Sequence, residues 1–197
     1  MLCRFSRTVV LTVALLLTGA GMAHASIQLS FDPSSQTVFL GNTVSVDLKV
    51  SGLGGGVSPA LGGFQFNILY DPTIIKATSV TFGLDLGDPG ASEALISSDV
   101  TAAGSASLAE VSLLPSPALL ALQPATFTMA TLVFQTKSVG TSPLSYDSVL
   151  LSDEAANVLS FSPMTGSITV VSPEPGFGAM VGAVLVVIGI RFRACRK

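Results

Sequence analysis

Val44, Val46, Leu48 and Val50 alternate with Ser45, Asp47 and Lys49. A period of two sends one set to a buried face and the other to water. That is the pattern of a half-buried strand, and it does not fit a helix. The same period returns where Phe64, Phe66, Ile68 and Tyr70 alternate with Gln65, Asn67 and, less cleanly, Leu69. Asp71-Pro72 ends that strand, because proline removes a ladder donor and restricts the residue before it. Residues 74–82 read as a turn and then a strand, and 94–98 and 105–113 as a pair around Thr101-Ala102-Ala103-Gly104. Residues 126–136 form a strand whose alternation slips between Met129 and Leu132, which predicts a bulge near Ala130-Thr131. Segments 148–151, 156–159 and 167–171 complete the strands, and only 117–122 reads as a helical turn. Eight to ten short strands punctuated by Gly, Pro, Ser and Asp predict an all-β fold, a two-layer antiparallel sandwich.

Both ends of the chain have a different character. Arg4 and Arg7 precede an apolar run at 8–21, interrupted only by Thr12 and Thr18. Ala23-His24-Ala25 then supplies a small-x-small site, so residues 1–25 are expected to be a secretion signal cleaved before Ser26. At the other end, Pro173-Glu174-Pro175 is followed by an apolar stretch at 177–190 and by Arg191, Arg193, Arg196 and Lys197. As a helix this stretch reaches about 21 Å, short of the roughly 30 Å hydrocarbon core of a bilayer. Phe192 and the snorkelling stems of Arg191, Arg193 and Lys197 extend its reach. The expectation is a short transmembrane segment with a cytoplasmic basic tail and the folded part outside.

One domain, residues 26–172, lies between these signals. Its 147 residues are ample for a single core. Eleven carboxylates face three lysines (Lys49, Lys76 and Lys137), a formal net charge of −8. Such a surface repels nucleic acid, and no cluster of bases offsets it. The only histidine, His24, and Cys3 belong to the signal, and Cys195 belongs to the basic tail. The domain therefore holds no disulfide, lacks the usual zinc ligands and has no base for Ser-His-Asp or Cys-His catalysis. Catalysis by a carboxylate pair is the remaining enzymatic route. No two acids are singled out by the sequence, so the domain is read as a non-enzyme.

The candidate sites are few. Asp85, Asp88, Glu93 and Asp99 supply oxygen ligands of the hard-cation type in a glycine-rich connection. Their spacing matches no calcium loop, and solvated surface charge is the simpler reading. Phe64, Phe66 and Tyr70 offer rings for a sugar platform, but three rings on one face of a central strand read as core. With tryptophan absent, exposed stacking falls to Tyr146 or a stray phenylalanine. Asp71 reads as the cap of its own turn. Gly52 to Gly63 holds six glycines in twelve positions, which reads as a crossover between sheets before it reads as a recognition loop.

Two resemblances add to this reading. Pro173-Glu174-Pro175, the 177–190 stretch and the basic end together resemble the PEP-CTERM sorting signal of Gram-negative bacteria that export polysaccharide. That resemblance implies transient retention in the inner membrane, processing by a sorting protease of the exosortase type, and delivery to the envelope, cell surface or matrix. The domain itself resembles a cohesin module over roughly residues 27–171. The likeness is carried by Gly41-Asn42-Thr43 through Val50, by Gly62-Gly63-Phe64 through Asp71-Pro72, by 75–80, by 130–137, by Asn157 and by Gly166-Ser167-Ile168-Thr169-Val170. It implies a nine-stranded jelly roll, related in architecture to several carbohydrate-binding modules, that binds rather than catalyses. Cohesins hold dockerins through one sandwich face, and dockerins carry calcium in their own loops. The implied partner is thus an exported, dockerin-like protein, with calcium entering through it. The alternatives are envelope polysaccharide as ligand, or a structural spacer that binds nothing.

Overall fold

The computed structural model describes residues 26–173. The expected signal peptide with Ala23 and Ala25, the 177–190 stretch, the basic tail, and Glu174 and Pro175 of the sorting motif lie outside the described residues. Among the described residues there are eleven strands: β1 (Ile27–Asp32), β2 (Ser35–Phe39), β3 (Thr43–Ser51), β4 (Leu61–Leu69), β5 (Ile75–Phe82), β6 (Ala94–Asp99), β7 (Ser105–Ser112), β8 (Thr126–Thr136), β9 (Gly140–Asp153), β10 (Phe161–Pro163) and β11 (Gly166–Val171). One short helix, α1 (Ser116–Leu122), precedes β8.

The strands build two layers, a five-stranded sheet in the order β10-β1-β3-β8-β5 and a six-stranded sheet in the order β2-β11-β9-β4-β7-β6. Alternation decides what lies between them. Val44, Val46, Leu48 and Val50 of β3 face inward, as do Phe64, Phe66 and Ile68 of β4, and all belong to one buried cluster with Leu29, Leu132, Phe134, Leu151 and Ile168. Phe66 and Ile68 are 1% and 0% exposed. The three rings expected as core are core: Phe64 stacks on Phe66 at 5.0 Å, and Tyr70 meets Phe134 edge-on at 5.3 Å. Tyr146 is not available for surface stacking either. Its ring lies 4.6 Å from Phe31, and its hydroxyl donates across the sandwich to the Ser30 carbonyl at 3.0 Å.

Three details differ from the sequence-based expectation. Two pairings are parallel, β1 with β10 and β2 with β11, because the chain steps from one sheet to the other both at its beginning and at its end. Those steps divide the edges and bring the strand count to eleven. The bulge in β8 falls at Met129: Leu48 pairs with Ala130 and Lys49 with Thr128, so Met129 is the extra residue. Met129 and Ala130 are both fully buried, which explains the slipped alternation. Residues 156–159 are not a strand. The Asp153 carboxylate accepts from the backbone N–H groups of Ala155 and Asn157 and gathers this segment into a turn, leaving one bridge between Ser152 and Val158. The true neighbour is β9, fourteen residues long, with a register shift opposite Gln65–Asn67 and a left-handed Ser148 (φ 52°) at the irregularity.

The glycine-rich segment after β3 is the expected crossover. A side chain at Gly54 would meet the Val57 carbonyl at 1.9 Å, so the curve closes only on glycine. At the end of α1, buried Gln123 replaces a strand partner. Its Oε1 accepts from the Leu61 N–H and its Nε2 donates to the Leu61 carbonyl, both at 2.7 Å. Gln123→Ala strips both bonds from a buried backbone. A loss of about 2 kcal/mol is expected, read as a lower urea midpoint with an unchanged m-value.

Candidate binding face

The two outer faces of the sandwich differ in chemistry. On the five-stranded sheet, outward polar side chains find partners within the sheet: Thr131 donates to Asp47 at 2.7 Å, Lys49 pairs with Asp32 and Thr78 donates to the Val133 carbonyl. The six-stranded sheet leaves large aliphatic groups in water. Leu95, Val111 and Leu150 are 63%, 50% and 51% exposed.

Register orders this second face into rows. Leu95, Val111, Gly63 and Ser152 lie side by side, then Ser97, Ala109, Gln65 and Leu150, then Asp99, Ser107, Asn67 and Asp147, and last Ser105, Leu69 and Ser145. The first two rows carry the exposed aliphatic groups Leu95, Val111 and Leu150 among Ser152, Ser97 and Gln65, and the third is polar throughout, with Ser107 donating to Asn67 at 2.7 Å. Small residues keep the middle flat. A Cβ at Gly63 would stand 3.1 Å from the Glu110 carbonyl and 3.3 Å from Val111 Cγ2, so glycine leaves a dip. Two shallow depressions result: about 120 Å³ lined by Gly63, Ala109, Val111 and Leu150, and about 150 Å³ lined by Gln65, Asn67, Ser97, Asp99 and Ser107. Asp99 and Asp147 bring negative charge to the polar rows, and the rows themselves contain no lysine or arginine. An apolar surface with a polar, acidic flank suits a helix or loop that presents aliphatic residues beside basic or hydroxyl groups.

The acids considered as cation ligands separate in space. Asp88 caps a 3-10 turn at Pro89–Ala91, its Oδ1 accepting from the Gly90 N–H at 2.7 Å, while Glu93 accepts from the Asp88 N–H at 3.1 Å. Asp99 closes the opposite end of β6 and accepts from both the N–H and the hydroxyl of Thr101, which hold its carboxyl below the usual range. Asp85 lies in the β5–β6 connection, and partial burial raises its pKa. Among the described residues, no three His, Cys, Asp or Glu side chains gather around one point. Asp71 caps its own turn as expected, accepting from the Thr73 N–H at 2.8 Å and hydroxyl at 2.6 Å.

One acid went unremarked in the sequence. Glu110 of β7 follows Ala106 and Leu108 onto the inner face, where it is 1% exposed and both carboxylate oxygens lack a hydrogen-bond partner. Burial, and then the charge of Asp85, push its pKa up to about 8. The period-two pattern of β7 already pointed it inward.

No family model matches the sequence, and no curated protein matches it at a significant level. Solved structures do match in fold. The sixth cohesin of scaffoldin B from Acetivibrio cellulolyticus, solved in complex with a dockerin, superposes with a TM-score of 0.62 at 16% identity, over 74% of this chain and 99% of that one. The seventh ScaB type I cohesin from Pseudobacteroides cellulosolvens gives 0.60 at 18% identity, over 77% and 96%. A non-cellulosomal cohesin from the hyperthermophilic archaeon Archaeoglobus fulgidus gives 0.53 at 13%, over 76% and 92%. The class is therefore settled at the level of architecture: residues 26–173 form a β-sandwich with the cohesin fold.

Proposed function

We propose that this domain is a non-catalytic binding module that docks an exported protein on the outer face of β9-β4-β7-β6. The observation that carries the reading is the exposed Leu95, Val111 and Leu150 around the flat Gly63–Ala109 centre, on one face only. The cohesin fold supports it, because neighbours with this architecture were solved holding dockerins. A dockerin-like partner would bring its own calcium, so the domain itself need hold none.

The chain ends support a place for this activity. A signal peptide at 1–25 with cleavage after Ala25, and a sorting segment made of Pro173, Glu174, Pro175, the 177–190 stretch and the basic tail, would deliver residues 26–172 to the envelope, surface or matrix of a Gram-negative bacterium. An exosortase-type protease would act at the sorting motif after transient anchoring in the inner membrane.

The test is affinity capture. Residues 26–173 are immobilised, and the host's secreted and envelope proteins are passed over them with calcium or with chelator. A stoichiometric protein held only with calcium, and lost from a column carrying Ala109→Arg, is the expected result. Retention of no protein under either condition overturns the reading and leaves a spacer role.

A further inference from the structure

Three lysines serve this acidic domain, and their placement is uneven. Lys49 is paired with Asp32. Among the described residues, Lys76 and Lys137 make no ion pair, and both line the same cavity at one end of the sandwich. That cavity, about 220 Å³, lies between the β4–β5 turn, the β6–β7 turn and the end of β8, with walls that include Tyr70, Pro72, Ile75 and Val100. The nearby carboxylates keep their charge, Asp71 held by Thr73 and also feeling Lys137, and Asp99 held by Thr101. Lys137 uses one of its three donors on the Pro72 carbonyl, at 2.6 Å. The Tyr70 hydroxyl has only a long bond, 3.4 Å to the Ala102 carbonyl, and keeps capacity for a second partner.

We propose that this cavity binds the carboxylate-bearing ring of a single hexuronate residue. Among the described residues, Lys76 and Lys137 form no salt bridge, and together they offset Asp71 and Asp99 beside the cavity, so an anion meets less repulsion here than the net charge of −8 implies. Charge-assisted bonds from Lys76 and Lys137 take the carboxylate. Pro72 and Val100, both partly exposed, take the C–H face of the ring, and Tyr70 takes a ring hydroxyl. The volume lies below the roughly 300–1,000 Å³ of pockets for drug-sized ligands, which suits one sugar ring better than a longer saccharide. An acidic side chain of a protein offers the carboxylate but not the ring, and would leave the apolar wall uncovered. This cavity is not part of the proposed protein-docking rows, so either reading can fail without the other.

The experiment is an amide NMR titration of residues 26–173 with galacturonate, glucuronate, a short oligouronate, glucose and hexaglutamate. Saturable shifts confined to 70–76, 100–103 and 137 are expected with the uronates and absent with glucose. Lys76→Gln, which touches no hydrogen bond of the fold, should weaken them about tenfold. The proposal is overturned by no saturable shift with any uronate, by equal shifts with glucose, by hexaglutamate binding as tightly as the oligouronate, or by shifts that survive Lys76→Gln combined with Lys137→Gln.

Discussion

Glu110→Leu is expected to stabilise the sandwich at pH 7 by about 2 kcal/mol. Glu110 faces the interior opposite Phe64 of β4 and beside Ile96 of β6, and the charged group bearing on it is Asp85 from the β5–β6 connection. Neither carboxylate oxygen has a partner. A carboxyl group in that position is retained at a cost, since the folded state must keep a proton that the unfolded chain gives up. Its pKa is pushed up to about 8 from the ordinary value of 4.5, first by burial and then by the charge of Asp85. Leucine has a similar volume and asks for no hydrogen bond.

The sign follows from linkage. A carboxyl whose pKa is raised on folding stabilises fully below the unfolded value near 4.5, and that contribution drains away as pH rises through about 8. Wild type should therefore lose at least about 2 kcal/mol between pH 5 and pH 8. Asp71, Asp99 and Asp153 have lowered pKa values through their local hydrogen bonds, so their losses set in only at more acidic pH, while Asp85, raised by partial burial, acts in the same direction as Glu110 and is a background that both variants retain. Thermal unfolding at steps from pH 5 to pH 9 checks it. Glu110→Leu should give a flatter profile, whereas Glu110→Gln should flatten the profile but gain less, because its amide remains unsatisfied. Parallel profiles in wild type and both variants would remove Glu110 from the account.

Much of the fold is written in short-range pattern. The alternation of β3, the Asp71-Pro72 stop and the β6–β7 pair all sit where period and turn chemistry put them, and Asp71 holds Thr73 as its position suggested. Long-range events were less legible. β9 begins at Gly140, includes Pro143 and changes phase at the left-handed Ser148, so no single alternation runs through its fourteen residues. The first sheet switch depends on β2 finding β11 nearly the whole domain away, a pairing that leaves no local trace. The candidate binding face was illegible for a related reason. Leu95, Val111 and Leu150 lie on three strands, and only register places them on one side. Glu110 was different: the pattern gave its direction, and its charge should have drawn notice.

Ala109→Arg is expected to weaken partner binding at least a hundredfold, about 3 kcal/mol, while leaving the domain folded. Ala109 lies on β7 between Ser97 and Gln65, one row from Val111 and Gly63, at the centre of the flat region. Its side chain points outward, so an arginine there displaces no core atom, and the unfolding midpoint should move by less than about 0.5 kcal/mol. At an interface the same arginine raises a long charged chain where the two shallow depressions meet, and holds any partner off Val111 and Leu150 together. Loss therefore follows from lost contact across the patch rather than from one missing bond. Gln28→Arg on β1 is the matched control. It adds the same charge to an exposed position on the opposite, self-paired face and should leave binding within about twofold, the scale of a rim charge. Equal losses from both substitutions would show that added positive charge alone repels the partner. A loss from Gln28→Arg alone would transfer the site to the five-stranded sheet. Only the asymmetric result, Ala109→Arg inactive and Gln28→Arg active with both folded, is what the exposed aliphatic rows of β9-β4-β7-β6 require.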